Sequence, residues 1–436
     1  MTDASAARPT RREALRRSAA ATLAAARALS PALFAGCSLG IQPRAPTVTV
    51  GLLHSQTGSL AIGATGLRDI QMHAFEQINA AGGLLGRQIE MLAPDPQSRV
   101  DLFPKRARDL VDRGAVAVFG CWTSAARKAV LPIFEAANRL LFYAVQYEGY
   151  ESAKHCVYGG TLPNQQIIPA LDWLATPAGR LKKQVFLLGS DSIFPRTANF
   201  IVKKYLADKT MNVAGEAYVP QGDRDFSGAV KEILASEADC VLSTVSGDSN
   251  LGLFAALAEA GVDAARLPVM TTSVSEDELR SLLPRQVQGH YAAACYFQNL
   301  DTPANRAWIE GFRAEFGHDR ITGDPMEPAW CLVHLWKKAV EKAGSFDTTA
   351  VRQAFADGIE FDGPGGKIRL DPKTQHCTKY FRVGRIRDDR QFDIVYSSEA
   401  PIEPDPYPQI AFPGWSCDWT KGGITRGPEV DINGPV

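Results

Sequence analysis

From Thr47 onward the chain alternates strand-like and helix-like runs, and this alternation limits the possible folds more than any other feature. Residues 47–54 (TVTVGLLH) form a β-branched, apolar run that ends in Ser55-Gln56-Thr57-Gly58. A helical face follows in Leu67, Ile70, Ala74, Phe75 and Ile78, and Gly82-Gly83 stops it. Residues 88–92, 115–120 and 140–145 read as further strands, and residues 102–113 and 123–138 as helices. The run at 115–120 (AVAVFG) is apolar at every position, as expected of a strand covered on both faces of a parallel sheet. The rhythm then restarts. Strands are predicted at 185–188, 240–245 and 267–270, and helices at 165–174, 195–206, 226–236 and 250–260. Helices at 308–316, 328–343 and 348–356 and antiparallel strands at 367–370, 380–385 and 392–396 complete the body. Two such series of similar size predict an α/β protein with two doubly wound parallel-sheet lobes joined by a hinge.

The division expected is residues 47–160 and 293–357 for lobe 1, and 161–292 and 358–400 for lobe 2. Residues 401–436, rich in Pro and Gly, are left as an irregular C-terminal tail. Open α/β sheets bind ligands beyond the carboxyl ends of their strands. The candidate loops are therefore 55–58, 121–125, 146–149, 189–194, 246–250 and 271–275. They are rich in Ser, Thr, Asp and aromatic residues, which suits a small polar ligand.

The first 36 residues have a different character. They hold six Arg against Asp3 and Glu13, and the basic stretch gives way to a small, apolar one, residues 18–35. This is the pattern of an export signal, too short and too interrupted to span a membrane. Residues 10–15 resemble a twin-arginine signal, with Ala14 where Phe is typical, so either export route remains open. Ala35-Gly36-Cys37 resembles a bacterial lipobox. Cys37 then becomes a lipid-bearing first residue, and residues 37–46 form a polar tether to the membrane. The precursor's formal charge of −1 averages this basic leader with an acidic body. A near-neutral chain lacks the basic face by which nucleic acid is captured electrostatically.

Other functions find little support. There is no phosphate-binding GxxxxGK[ST], no HExxH, and no GxGxxG after the first strand. The GxSxG-type match at Gly36–Gly40 straddles the proposed cleavage site, with neither strand nor helix around it. The seven His are dispersed, no CxxC occurs, and no metal or cofactor is implied. Seven Cys remain beyond Cys37, an odd number, and several lie in apolar runs as buried thiols.

Several motifs occur in order. They include Ile78-Asn79-Ala80-Ala81-Gly82-Gly83, Phe119-Gly120-Cys121-Trp122-Thr123-Ser124, Phe142-Tyr143-Ala144-Val145-Gln146-Tyr147-Glu148-Gly149 and Gly189-Ser190-Asp191. Gly247-Asp248-Ser249-Asn250, Asp324-Pro325-Met326-Glu327 and Pro404-Asp405-Pro406-Tyr407 follow. Together they resemble the type I periplasmic solute-binding proteins of ABC importers, and within them the urea- and short-chain amide-binding group. The resemblance implies a small neutral amide held between the lobes and presented to membrane permease subunits. It implies ligand contacts from Ser55, Trp122, Thr123, Ser124, Tyr143, Tyr147, Asp191, Ser192, Asp248 and Glu327. Thr123 or Ser124 equally serves as a helix N-cap, the aromatics as core, and each carboxylate as a cap or a lock between lobes. Ser192 stands where relatives commonly have Tyr, which removes an aromatic wall. Two further receptor-type readings remain: a branched-chain or other amino acid as ligand, and an amide sensor acting through a partner protein. An amidase lacks any recognisable nucleophile–base pairing in this sequence.

Overall fold

The computed structural model describes residues 46–433. Leader, Cys37 and all but the last residue of the tether lie outside these residues. Strands β1 (Thr47–Leu53), β2 (Gln88–Leu92), β3 (Ala117–Gly120), β4 (Leu140–Tyr143) and β5 (Cys156–Tyr158) form one sheet. It is wholly parallel, in the order β2-β1-β3-β4-β5. Strands β6 (Gln184–Ser190), β7 (Asn212–Val219), β8 (Cys240–Thr244), β9 (Val269–Thr271) and β10 (Tyr291–Ala294) form the parallel part of a second. This sheet runs β7-β6-β8-β9-β10 and continues into two antiparallel strands, β13 (Arg382–Ile386) and β14 (Phe392–Ser397). Counted from its own first strand, each parallel portion has the order 2-1-3-4-5. The order reverses between β1 and β3 and between β6 and β8, which is where a doubly wound sheet opens its binding crevice.

Helices α1 (Ala61–Ala80), α2 (Phe103–Asp112) and α3 (Ser124–Ala136) connect the first four strands. In the second series, α4 (Ile167–Leu174) leads into β6, and α5 (Ile193–Leu206), α6 (Ser227–Ala235) and α7 (Ser249–Glu259) join the strands. The short α8 (Glu276–Leu279) and α9 (Pro284–Val287) precede β10. Close approach constrains β1. A Cβ at Gly51 would lie 2.7 Å from a Leu110 methyl, so α2 packs against the strand only because the side chain is absent.

After β10 the chain returns to the first sheet. Helices α10 (Pro303–Phe316) and α11 (Met326–Ala343) add Trp308, Phe312, Trp330 and Trp336 to its core. The Trp336 ring meets Phe75 and Phe119 edge-on at 5.9 Å each. Helix α12 (Thr348–Ala354) and the hairpin β11 (Ile359–Gly363) and β12 (Gly366–Leu370) follow, and the chain then crosses to β13. It therefore passes between the sheets three times.

The structure departs from the sequence reading in identifiable places. The division at 292/293 cuts β10, which lies whole in the second sheet. The hairpin of residues 359–370, assigned above to lobe 2, packs on α11 instead, because Ile359, Ile368 and Leu370 bury in the first core. The tail is not wholly irregular, since Ser416–Asp418 and Gly423–Thr425 pair as a hairpin. Ala411 and Phe412 pack on Phe200 and Ile201 of α5, and Phe412 stacks on Tyr150 at 4.2 Å. Side-chain packing orders this segment where backbone patterning gives no signal. All seven cysteines in the described residues are free and buried.

Candidate functional site

The carboxyl ends of the two sheets face each other across a cavity of about 60 Å³. From the first sheet it is lined by Val100, Trp122, Thr123, Ser124, Ala125, Tyr143, Val145 and Gln146. From the second come Ser192, Ile193, Phe194, Gln221, Ser246 and Ser273. None of these carries a charge, and the apolar wall is built of aromatic and branched side chains. Two bonds close it across the cleft, as Gln146 Nε2 donates to Thr272 O (3.1 Å) and to Ser273 Oγ (2.8 Å). The Asp248 N–H donates to Ser59 O at 3.3 Å, a further tie between the two sides.

The turn after β3 sets the geometry of the first wall. Cys121 sits in the left-handed region (φ 67°), a costly conformation for a residue with a Cβ, and it redirects the chain out of the sheet. Trp122 then projects over α1, where a Cβ at Gly63 would come within 2.3 Å of the indole. The Tyr143 hydroxyl donates to Trp122 O at 2.6 Å and fixes this turn. Thr123 is the N-cap of α3, with extended backbone and Oγ1 accepting from the Ala126 N–H at 3.1 Å. The Ser124 and Ala125 N–H groups, in the first turn, have no partner within the helix.

A charged network lies buried beneath Ser124. Arg127 is wholly buried. Its guanidinium donates to Glu151 Oε1 (2.7 Å), Glu148 Oε1 (3.3 Å) and Ser124 Oγ (3.2 Å). It lies against the faces of Tyr143 and Tyr147 at 4.6 and 4.4 Å. Burial would raise the Glu151 carboxyl, but the charges and hydrogen bonds of Arg127 and Lys128 outweigh it and hold the group at about 2.

A recess of about 10 Å³ adjoins the cavity and shares Trp122, Gln146 and Ser273 with it. Glu278 and Asp324 line it. Burial pushes Glu278 up to about 7, against the hydrogen bonds it accepts from Ser275 Oγ and N–H. Asp324 is also raised by burial, although it accepts from the Cys295 N–H at 2.8 Å. Neighbouring Glu276 is raised to about 8 by burial. Among the described residues no group of His, Cys, Asp and Glu has the geometry to hold a metal ion.

Of the ten contacts that the resemblance implies, Trp122, Thr123, Ser124, Tyr143 and Ser192 line the cavity. The other five lie elsewhere. Ser55 Oγ accepts from the Ser98 N–H and anchors a neighbouring loop. Tyr147 belongs to the buried network, bonded to Glu151 O and His376. Asp191 pairs with Arg196 and Asp248 with Arg224. Glu327 is buried against Cys331 Sγ and the Gly365 N–H. Val100, Ala125, Val145, Gln146, Ile193, Phe194, Gln221, Ser246 and Ser273 also line the cavity and were not among the ten. Phe194, two residues beyond Ser192, supplies an aromatic wall on that side. Gln146, Phe194, Ser246 and Ser273 stand in the post-strand loops, so strand position was a usable signal. Gln221 follows β7, a strand the pattern did not reveal.

Comparison with known proteins gives the same architecture. A family model described as "Periplasmic binding protein domain" matches residues 48–412. The Leucine-, isoleucine-, valine-, threonine-, and alanine-binding protein of Pseudomonas aeruginosa is 26% identical over 341 residues, 76% of this chain and 87% of that protein. The limonene hydroxylase of Geobacillus stearothermophilus is 31% identical over 118 residues, but the match spans only 27% of this chain and 21% of that protein. A solute-binding protein of an R. palustris ABC transporter, solved with 4-hydroxybenzoate, superposes with a TM-score of 0.73 at 19% identity. That match covers 82% of this chain and 98% of that one.

Proposed function

Because the chain belongs to the periplasmic binding protein family, we propose that it is the solute receptor of an ABC importer that binds a small α-amino acid with an apolar side chain. The carrying observation is the pairing of two unlike compartments across Trp122 and Gln146. One offers the Thr123 hydroxyl and the first-turn N–H groups of α3, which suit a carboxylate. The other offers Glu278 and Asp324, which suit an ammonium. Trp122, Tyr143, Val145 and Phe194 would cover the side chain. The amino-acid-binding relative supports this ligand class over urea. A second reading, a short neutral amide, rests on the uncharged lining of the main cavity. Closure is a hinge motion in which the ligand bridges both sheets and the closed form is presented to permease subunits. Lipidation of Cys37 belongs to the same reading, and mass spectrometry of the mature N-terminus tests it. Calorimetry with leucine, valine, alanine, acetamide and urea tests the ligand. Leucine or valine binding tightest is expected, and tight binding of urea with none of any amino acid would reverse the choice.

A further inference from the structure

We infer that the buried Arg127–Glu148 pair fixes the hydrogen-bond polarity of the cavity wall, so that the site demands a ligand with an N–H donor beside its acceptor and rejects plain carboxylates. The inference rests on the receptor reading above and narrows its ligand class.

A serine hydroxyl has one donor and two acceptor positions. At Ser124 two of the three are used from below. Oγ accepts from Arg127 Nη1 at 3.2 Å and donates its proton to Glu148 Oε2 at 2.5 Å. The assignment is forced, since a guanidinium only donates and a carboxylate only accepts. Arg127 Nη2 donates in turn to Glu148 Oε1 at 3.3 Å, which holds the carboxylate in register. Ser124, which lines the cavity, therefore has a single lone pair left for a ligand and no hydrogen. Thr123 has the opposite character. Its Oγ1 accepts from the Ala126 N–H, and its own proton is free to point at a ligand.

Consecutive residues thus offer one acceptor and one donor. A primary amide matches both, with nitrogen toward Ser124 and oxygen toward Thr123, and an amino acid does so with one ammonium N–H while the others serve Glu278 and Asp324. A carboxylate lacking N–H places an oxygen against the Ser124 lone pair. An unsatisfied or wrongly paired polar group in a closed site lowers affinity roughly 10- to 100-fold. Glu148 and Arg127 touch no ligand here and act as positioning residues.

The test uses matched pairs that differ in the N–H group: leucine against 4-methylpentanoate, and isobutyramide against isobutyrate. Each is titrated calorimetrically into the wild-type protein, Ser124→Ala and Glu148→Gln. In Glu148→Gln, Arg127 keeps the amide oxygen as its acceptor, so the amide nitrogen donates to Ser124 Oγ and turns the hydroxyl proton into the cavity. The wild type is expected to favour an N–H member by about tenfold or more. In the amide pair, which carries no ammonium for the recess acids, Ser124→Ala should reduce that preference below about threefold, and Glu148→Gln should move it toward the acid. A change of preference is a readout that a merely structural role would leave alone. If Glu148→Gln does not fold, Ser124→Ala decides. An acid that binds the wild type as tightly as its N–H partner overturns the inference and leaves the receptor reading standing. So does a preference for isobutyramide over isobutyrate that survives Ser124→Ala. If neither member of either pair binds the folded protein, the ligand class of the receptor reading fails, and this inference with it.

Discussion

Replacing Arg127 with Met tests how far the ligand wall depends on a buried charge. Arg127 is wholly buried, and Glu148 is 2% exposed. Its removal leaves Glu148 without a cation and Glu151 with Lys128 alone, at 2.8 Å. Breaking a buried pair on one side costs about 3–5 kcal/mol. The Glu151 carboxyl gives an independent figure. It falls from an ordinary 4.5 to about 2 in the folded protein. At 1.36 kcal/mol per unit, this contributes about 3 kcal/mol at neutral pH. The folded value is the depressed one, so the contribution is complete above pH 4.5 and is lost as pH falls toward 2. At pH 3 only about 1 kcal/mol of it remains. Urea unfolding followed by tryptophan fluorescence at pH 7 and pH 3 measures both quantities. Arg127→Met should lose about 3–5 kcal/mol at pH 7, and its deficit should shrink by up to about 2 kcal/mol at pH 3. A deficit under about 1 kcal/mol at pH 7, or one unchanged by acid, would refute the reasoning.

Other perturbations separate the remaining parts of the architecture. Gln146→Ala removes two bonds across the cleft. Calorimetry should show about 5- to 30-fold weaker ligand binding with unchanged unfolding stability. Burial holds Glu276 at about 8 against an ordinary 4.5. The folded state therefore keeps its proton longer, and stability must fall as pH rises from 4.5 to 8. Glu276→Gln should flatten that decline and raise stability at pH 8 by about 2 kcal/mol or more, read from denaturation at pH 5 and pH 8. Phe412 is wholly buried between Tyr150 and α5. Phe412→Ala should cost about 3–5 kcal/mol, whereas a dispensable tail would lose almost nothing in the same assay.

What the sequence revealed follows from how each element is stabilised. Strands buried on both faces, such as the VFG of β3, announce themselves as apolar runs. The edge strand β7, with half-buried residues and Gly215 set against Phe186, does not. Nor do β10, whose YAAA run lacks β-branched residues, and β5, a three-residue strand at the sheet edge. The residues around 122–124 were legible because a strand-to-helix turn advertises both a cap and a ligand face. Tyr147 and Glu327 carry the same chemistry as ligand contacts but are consumed by buried partners. Only three-dimensional packing distinguishes those two fates. Phe194 escaped because nothing in its local pattern separates a cavity-lining aromatic from a core one.

The three passages between the sheets also order the events of folding. Strands β1 to β5 are synthesised first, yet Phe75 and Phe119 receive Trp336 only after all of β6 to β10 has been made. The first sheet to leave the ribosome thus stays unsealed until every parallel strand of the second has been made. Closing its core needs contacts of long sequence separation, which are slow to form. Until α11 arrives, one aromatic face stays open to water and to other chains, the condition under which aggregation competes with folding. A fragment ending at Tyr158 has every strand of its sheet and still lacks the lid of its own core.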